Sequence, residues 1–174
     1  MAAEAGEHRV AGTIGADGER MRPGFEYAFE LRVEVDPEIP LGGSDPGEGL
    51  HFTPISGGDF DGPLLRGTVR PGGGDWWVGT GLVCRLDARY VIDAEVAEGI
   101  ASVDVVNRGY WRTDAASAER LEAGEHVDET RLYYRTAFVF QTAHPELQWL
   151  AASQFVGYAR PGPGTVVIRV FRLL

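Results

Sequence analysis

Lysine is missing from this 174-residue chain; all 16 basic residues are arginine. That excludes a Schiff-base lysine, covalently held pyridoxal phosphate and a phosphate-binding loop, each of which needs a Lys amine. Cysteine is almost missing: Cys84 stands alone. No intrachain disulfide and no zinc cluster of several thiolates can form. Histidine is sparse and scattered, at His8, His51, His126 and His144, with no HExxH-type spacing. No metal site is expected. No apolar run approaches the ~18 residues of a membrane-spanning helix. The opening segment MAAEAGEHRV lacks the apolar centre of a secretory signal. The expectation is a soluble, cytoplasmic protein. Positive charge is also short: 26 acidic residues against 16 basic give a net charge of −10, which argues against nucleic acid or anionic membrane as a partner. GxSxG and a strand-linked GxGxxG are absent, and Asp59-Phe60-Asp61-Gly62 lacks the rest of a calcium loop. No cofactor is expected.

What the chain has in excess is turn residues. Its 24 Gly and 10 Pro make about a fifth of the sequence, against a typical ~12%. They punctuate short alternating segments. Strands are expected at Phe25–Val35, His51–Ser56, Leu64–Arg70, Trp76–Val78, Leu82–Ala94, Ile100–Arg112, Leu132–Thr142, Gln154–Arg160 and Thr165–Leu173. A further short strand is expected at Arg9–Ile14, within a lead-in covering residues 1–24. Residues 37–49 read as a long loop. A single helix is expected near 114–123, capped by Asp114 and stopped by Gly124. Strands without alternating helices argue for an antiparallel sandwich or barrel. Closure removes exposed sheet edges. The expected fold is all-β, a single antiparallel β-barrel of about nine or ten strands over residues 25–174.

Strand phase nominates candidate site residues. Over residues 84–92 one face carries Cys84, Leu86, Ala88, Tyr90 and Ile92. The other carries Arg85, Asp87, Arg89 and Val91. The charged face is either a solvated outer surface or a polar lumen that holds Asp87 and Arg89 as an oriented pair. Asn107 falls in phase with Val105, Gly109 and Trp111; it either supports a bulge or points at a ligand. Tyr134 shares a face with Thr136 and Phe138, where its hydroxyl serves a buried partner or acts as a general acid.

Several stretches in order carry a resemblance: GGDFDGPLLRG (57–67), PGGGDWW (71–77), LDARY (86–90), VVNRG (105–109), YYRT (133–136), LQWLAASQFVG (147–157) and VVIRVF (166–171). Together they resemble the small bacterial proteins grouped as domain of unknown function 3237. The resemblance implies a single-domain antiparallel barrel with a pocket and no obvious cofactor. Its recurrent polar positions fall on Asp75, Asp87, Arg89, Asn107 and Arg135, and its recurrent aromatics on Trp76, Tyr90, Tyr134 and Trp149. Departures are Ala151, where Asn is frequent, Asp59, where a neutral or basic residue is frequent, and a longer stretch before residue 50.

Three functions follow as expectations. The first is a cofactor-independent isomerase, cyclase or lyase acting on a small, largely apolar metabolite, in specialised or polyketide metabolism. In it Asp75 or Asp87 is the base and Tyr134 or Tyr90 the acid. Arg89 and Arg135 hold a carboxylate or enolate oxygen, and Trp76, Asn107 and Trp149 line the substrate. The second is a non-catalytic ligand-binding barrel of lipocalin-like type. The third is a structural oligomer with a filled lumen. The barrel's partner is a small molecule, with homo-oligomerisation left open.

Overall fold

Alternating residues make strands, and here the strands close on themselves. The computed structural model describes residues 23–45, 48–80 and 82–174. One antiparallel sheet holds ten strands. They are β1 (Phe25–Val35), β2 (Ile39–Asp45), β3 (Glu48–Asp61), β4 (Gly67–Val69), β5 (Gly74–Gly79), β6 (Val83–Val96), β7 (Gly99–Arg112), β8 (Tyr133–Gln141), β9 (Phe155–Gly162) and β10 (Thr165–Leu173). Pairing of β1 with both β10 and β3 closes the ring. β1 and β2 pair with successive halves of β3, and β4 and β5 lie successively between β3 and β6. Each of these pairs is one interrupted strand, so the ten strands fill eight positions around the barrel. The all-β barrel expectation holds. The lead-in, with the strand expected at Arg9–Ile14, falls largely outside the described residues.

The helix between β7 and β8, α1 (Ala115–Glu122), forms where its cap predicts it. The Asp114 carboxylate accepts from the Ser117 backbone N–H at 2.8 Å and from its hydroxyl at 2.9 Å, which satisfies otherwise orphaned donors of the first turn. Gly124, at φ 74°, ends it. A second short helix, α2 (Gln148–Ala151), breaks the expectation of one helix. A single turn is too short to show a helical period.

Two further differences concern glycine and proline. Residues 37–49 are not all loop, because β2 pairs with β3 through Ile39↔Phe52 and Pro40↔His51. It is an edge strand, where a missing N–H is tolerated, and its register slips about Gly42. The strand expected at His51–Ser56 runs on to Asp61. Gly57-Gly58 reads as a stop but sits inside β3. Gly58, at φ 130°, is where the Arg32 carbonyl lies so close that a Cβ would collide with it.

The barrel is packed at one end and open at the other. Phe29, Phe60, Phe138, Phe140 and Phe155 are all buried to 1–2% exposure or less at the packed end. Their rings meet at 5.1–6.2 Å where Phe140 touches Phe29, Phe138 and Phe155. Buried Leu147 and Leu150, on and beside α2, join the same core cluster. No helix among the described residues is long and apolar enough to cross a membrane.

Candidate active site in the barrel lumen

The open end encloses a cavity of about 480 Å³. One cross-strand row of its wall places Thr136 of β8 between Gly109 of β7 and Gly157 of β9. Both glycines face inward with no space for a Cβ, so no bulky side chain flanks Thr136 in this row on β7 or β9. The next row places Asp75 of β5, Ala88 of β6 and Asn107 of β7 side by side. Ala88 is the small residue that leaves the two polar groups open to the lumen. Tyr90 and Tyr134 complete the polar set, and Trp77 and Trp111 supply aromatic wall. The Trp111 ring meets Tyr134 edge-on at 5.5 Å. Ala118, Leu121 and Glu122 of α1 line the mouth, as does Glu38 between β1 and β2.

The polar groups are poorly satisfied. The hydroxyls of Tyr90 and Thr136 and the Asn107 side-chain carbonyl are buried with no hydrogen-bond partner among the described residues. Natural interiors rarely leave such atoms alone. Asp75 Oδ1 accepts from the Asp87 backbone N–H at 3.0 Å. Burial pushes the Asp75 carboxyl up to about 6, with the Asp87 carboxylate adding to the rise and the backbone bond opposing it. Burial also raises both tyrosines above their ordinary range, and the nearby Asp75 charge raises them further. At neutral pH the lumen therefore holds a mostly ionised carboxylate together with neutral phenol hydroxyls.

The match to known proteins covers this whole barrel. Residues 23–173 fit the family model described as "Protein of unknown function (DUF3237)". The chain belongs to this family. The UPF0311 protein RPA1785 of Rhodopseudomonas palustris is 32% identical over 158 residues, covering 88% of this chain and 100% of its own. Its crystal structure superposes with a TM-score of 0.76 at 31% identity, covering 87% of this chain and 97% of that one. A β-barrel-like protein from Acinetobacter baumannii superposes at 0.72 and 25% identity, covering 87% and 96%. An enzyme from Penicillium herquei shares the fold at 0.60 and 20% identity, covering 87% and 95%.

In this DUF3237 barrel the residues nominated from sequence divide into three groups. Asp75, Tyr90, Asn107 and Tyr134 meet in the lumen. Asp87, Arg89, Arg135 and Trp76 do not. The oriented Asp87–Arg89 pair in a polar lumen is corrected: both side chains are on the outer face, 39% and 56% exposed. There Asp87 Oδ1 lies 3.5 Å from Arg89 Nε and 3.2 Å from Arg108 Nε. The apolar face of β6 is the one that fills a narrow barrel, so its charged face must point to water. Arg135 likewise cannot hold a substrate oxygen in the lumen. It donates to the Tyr134 carbonyl at 2.9 Å and covers the Tyr158 ring at 4.1 Å. Trp76 lines an outer depression with Asp87 and Arg135. Trp149 packs against Phe155 at 5.8 Å, at the closed end of the barrel. The departure at Ala151 lies exposed on α2, and Asp59 pairs with Arg32 on the surface, so neither touches the cavity.

Thr136, Trp77 and Trp111 are among the lumen residues that the sequence does not nominate for the site. Thr136 and Trp111 share strand phase with Tyr134 and Asn107, which is the signal that finds them. Among the described residues no group of three or more His, Cys, Asp or Glu is placed to hold a metal ion.

Proposed function

We propose that this barrel is an acid–base enzyme that works with its own side chains on a small, largely apolar metabolite, in a reaction of the isomerase, cyclase or lyase type. The observation that carries the reading is the Asp75 carboxyl, raised to about 6 and facing a cavity with neutral tyrosine hydroxyls. A base of that pKa is mostly ionised at neutral pH yet returns its proton readily. Tyr134 or Tyr90 would donate to an oxygen on which charge develops, and Asn107 and Thr136 would fix the orientation of the substrate. The apolar remainder of the wall would exclude water. That same apolar lining supports a second reading, a ligand-holding barrel without turnover. The open cavity weighs against a filled structural lumen.

A substrate-independent test is available. A base in an apolar pocket removes the ring C–H proton of 5-nitrobenzisoxazole; the electron pair forms the nitrile and the N–O bond breaks to leave a phenolate. The enzyme reading expects turnover above buffer, rising with pH through an inflection near 6, lost in Asp75→Asn and kept in Asp87→Asn. Wild-type turnover no faster than that of Asp75→Asn would leave only the ligand-holding reading.

A further inference from the structure

The lumen has a sign. Asp75 lines its wall, Glu38 and Glu122 stand at its mouth, and among the described residues no arginine or histidine contributes to its lining. His51, the cross-strand partner of Trp77, lies beside it and outside the lining, stacked on that ring at 3.9 Å, with its Nδ1 3.5 Å from Glu38. The unpartnered atoms inside are all oxygens: Asn107 Oδ1, Thr136 Oγ1 and Tyr90 Oη. The residues that carry them are 4%, 6% and 4% exposed. Trp77 and Trp111 add aromatic surface.

An anionic occupant would meet carboxylates with no cation to compensate its desolvation. A cationic one meets the reverse. Its N–H groups satisfy oxygen acceptors, its charge answers the carboxylates, and aromatic faces attract it. We propose that the lumen binds a lipophilic organic cation, an apolar body bearing a protonated amine, and that the substrate belongs to this class. The inference rests on the lumen being the ligand site and adds the charge of its occupant.

Three probes that share one ring system isolate that charge: 1-pyrenemethylamine, 1-pyrenemethanol and 1-pyrenecarboxylate. The full chain is titrated with each at neutral pH by fluorescence, and again in about 1 M salt, where the Debye length is ~3 Å and surface attraction is screened. The amine should bind about tenfold tighter than the alcohol, and the carboxylate weakest. The preference should survive salt. It should shrink in Asp75→Asn and in Glu122→Gln, whose side chain lies on the exposed helix surface at the mouth. Carboxylate or alcohol binding as tight as the amine overturns the proposal, as does a preference that vanishes in salt or no binding by any probe. An overturned charge preference beside an Asp75-dependent elimination would remove this inference and leave the acid–base reading standing.

Discussion

Asp75 and Asn107 occupy one cross-strand row of the barrel, on β5 and β7, with only Ala88 of β6 between them. Their backbones are thus roughly 10 Å apart, two strand spacings. Both side chains enter the same cavity. A larger residue at position 88 would stand between them. The site is therefore made as much by a small side chain as by the polar ones.

Asp75 should weaken the fold at neutral pH. Its native pKa of about 6 lies above the ordinary 3.8. Between those values the native state keeps a proton that the unfolded chain has released, so stability falls as pH rises through the window. The contribution is intact below about pH 4 and lost above about pH 6. Asp75→Asn should then unfold about 2–3 kcal/mol later than wild type at pH 7.5 and lose most of that advantage at pH 4. Urea unfolding at the two pH values checks this.

Thr136→Val should separate stability from function. The Thr136 hydroxyl is buried without a partner among the described residues, and replacing such a group with a methyl removes a desolvation cost of about 1–3 kcal/mol. The variant should be at least as stable as wild type yet bind lumen ligands more weakly. Thermal unfolding and probe titration on one preparation decide it. A clear loss of stability would mean that the hydroxyl has a structural partner.

On the outer face, Asp87→Asn and Arg89→Leu should each change stability by only ~0–1 kcal/mol, since both partners remain in solvent. Ligand affinity should stay unchanged. A loss of ~3–5 kcal/mol, the size expected for a buried pair, would return this pair to the lumen.

The packed end should behave oppositely. Phe140 is 2% exposed and touches three other phenylalanine rings. Phe140→Ala should cost about 3–5 kcal/mol, whereas Leu86→Ala, beside a cavity that already exists, should cost less. Paired urea titrations compare the two.

Most of the fold was legible because long strands repeat their period many times. β6 and β7 each alternate over 14 residues, and a one-residue error there would have exposed the whole core. Short elements carry no such redundancy. β5 has six residues and adjacent tryptophans at 76 and 77, so its phase could not be read. The family resemblance nominates both Asp75 and Trp76, which are adjacent on the strand and therefore face opposite sides of it. For Asp87 and Arg89 the alternation was clear but its direction was not. Periodicity separates two faces without saying which one closes around the lumen; the closed ring is narrow, so its interior takes the apolar face.

The central claim is that the lumen holds an acid–base group and that this group is Asp75. Carboxyl-carbon NMR titration tests it most directly, with the Asp75 resonance identified by its disappearance in Asp75→Asn. The account predicts a midpoint near pH 6, displaced when 1-pyrenemethylamine fills the cavity. A midpoint near 4, unmoved by the probe, would place Asp75 in ordinary solvent contact and contradict the account.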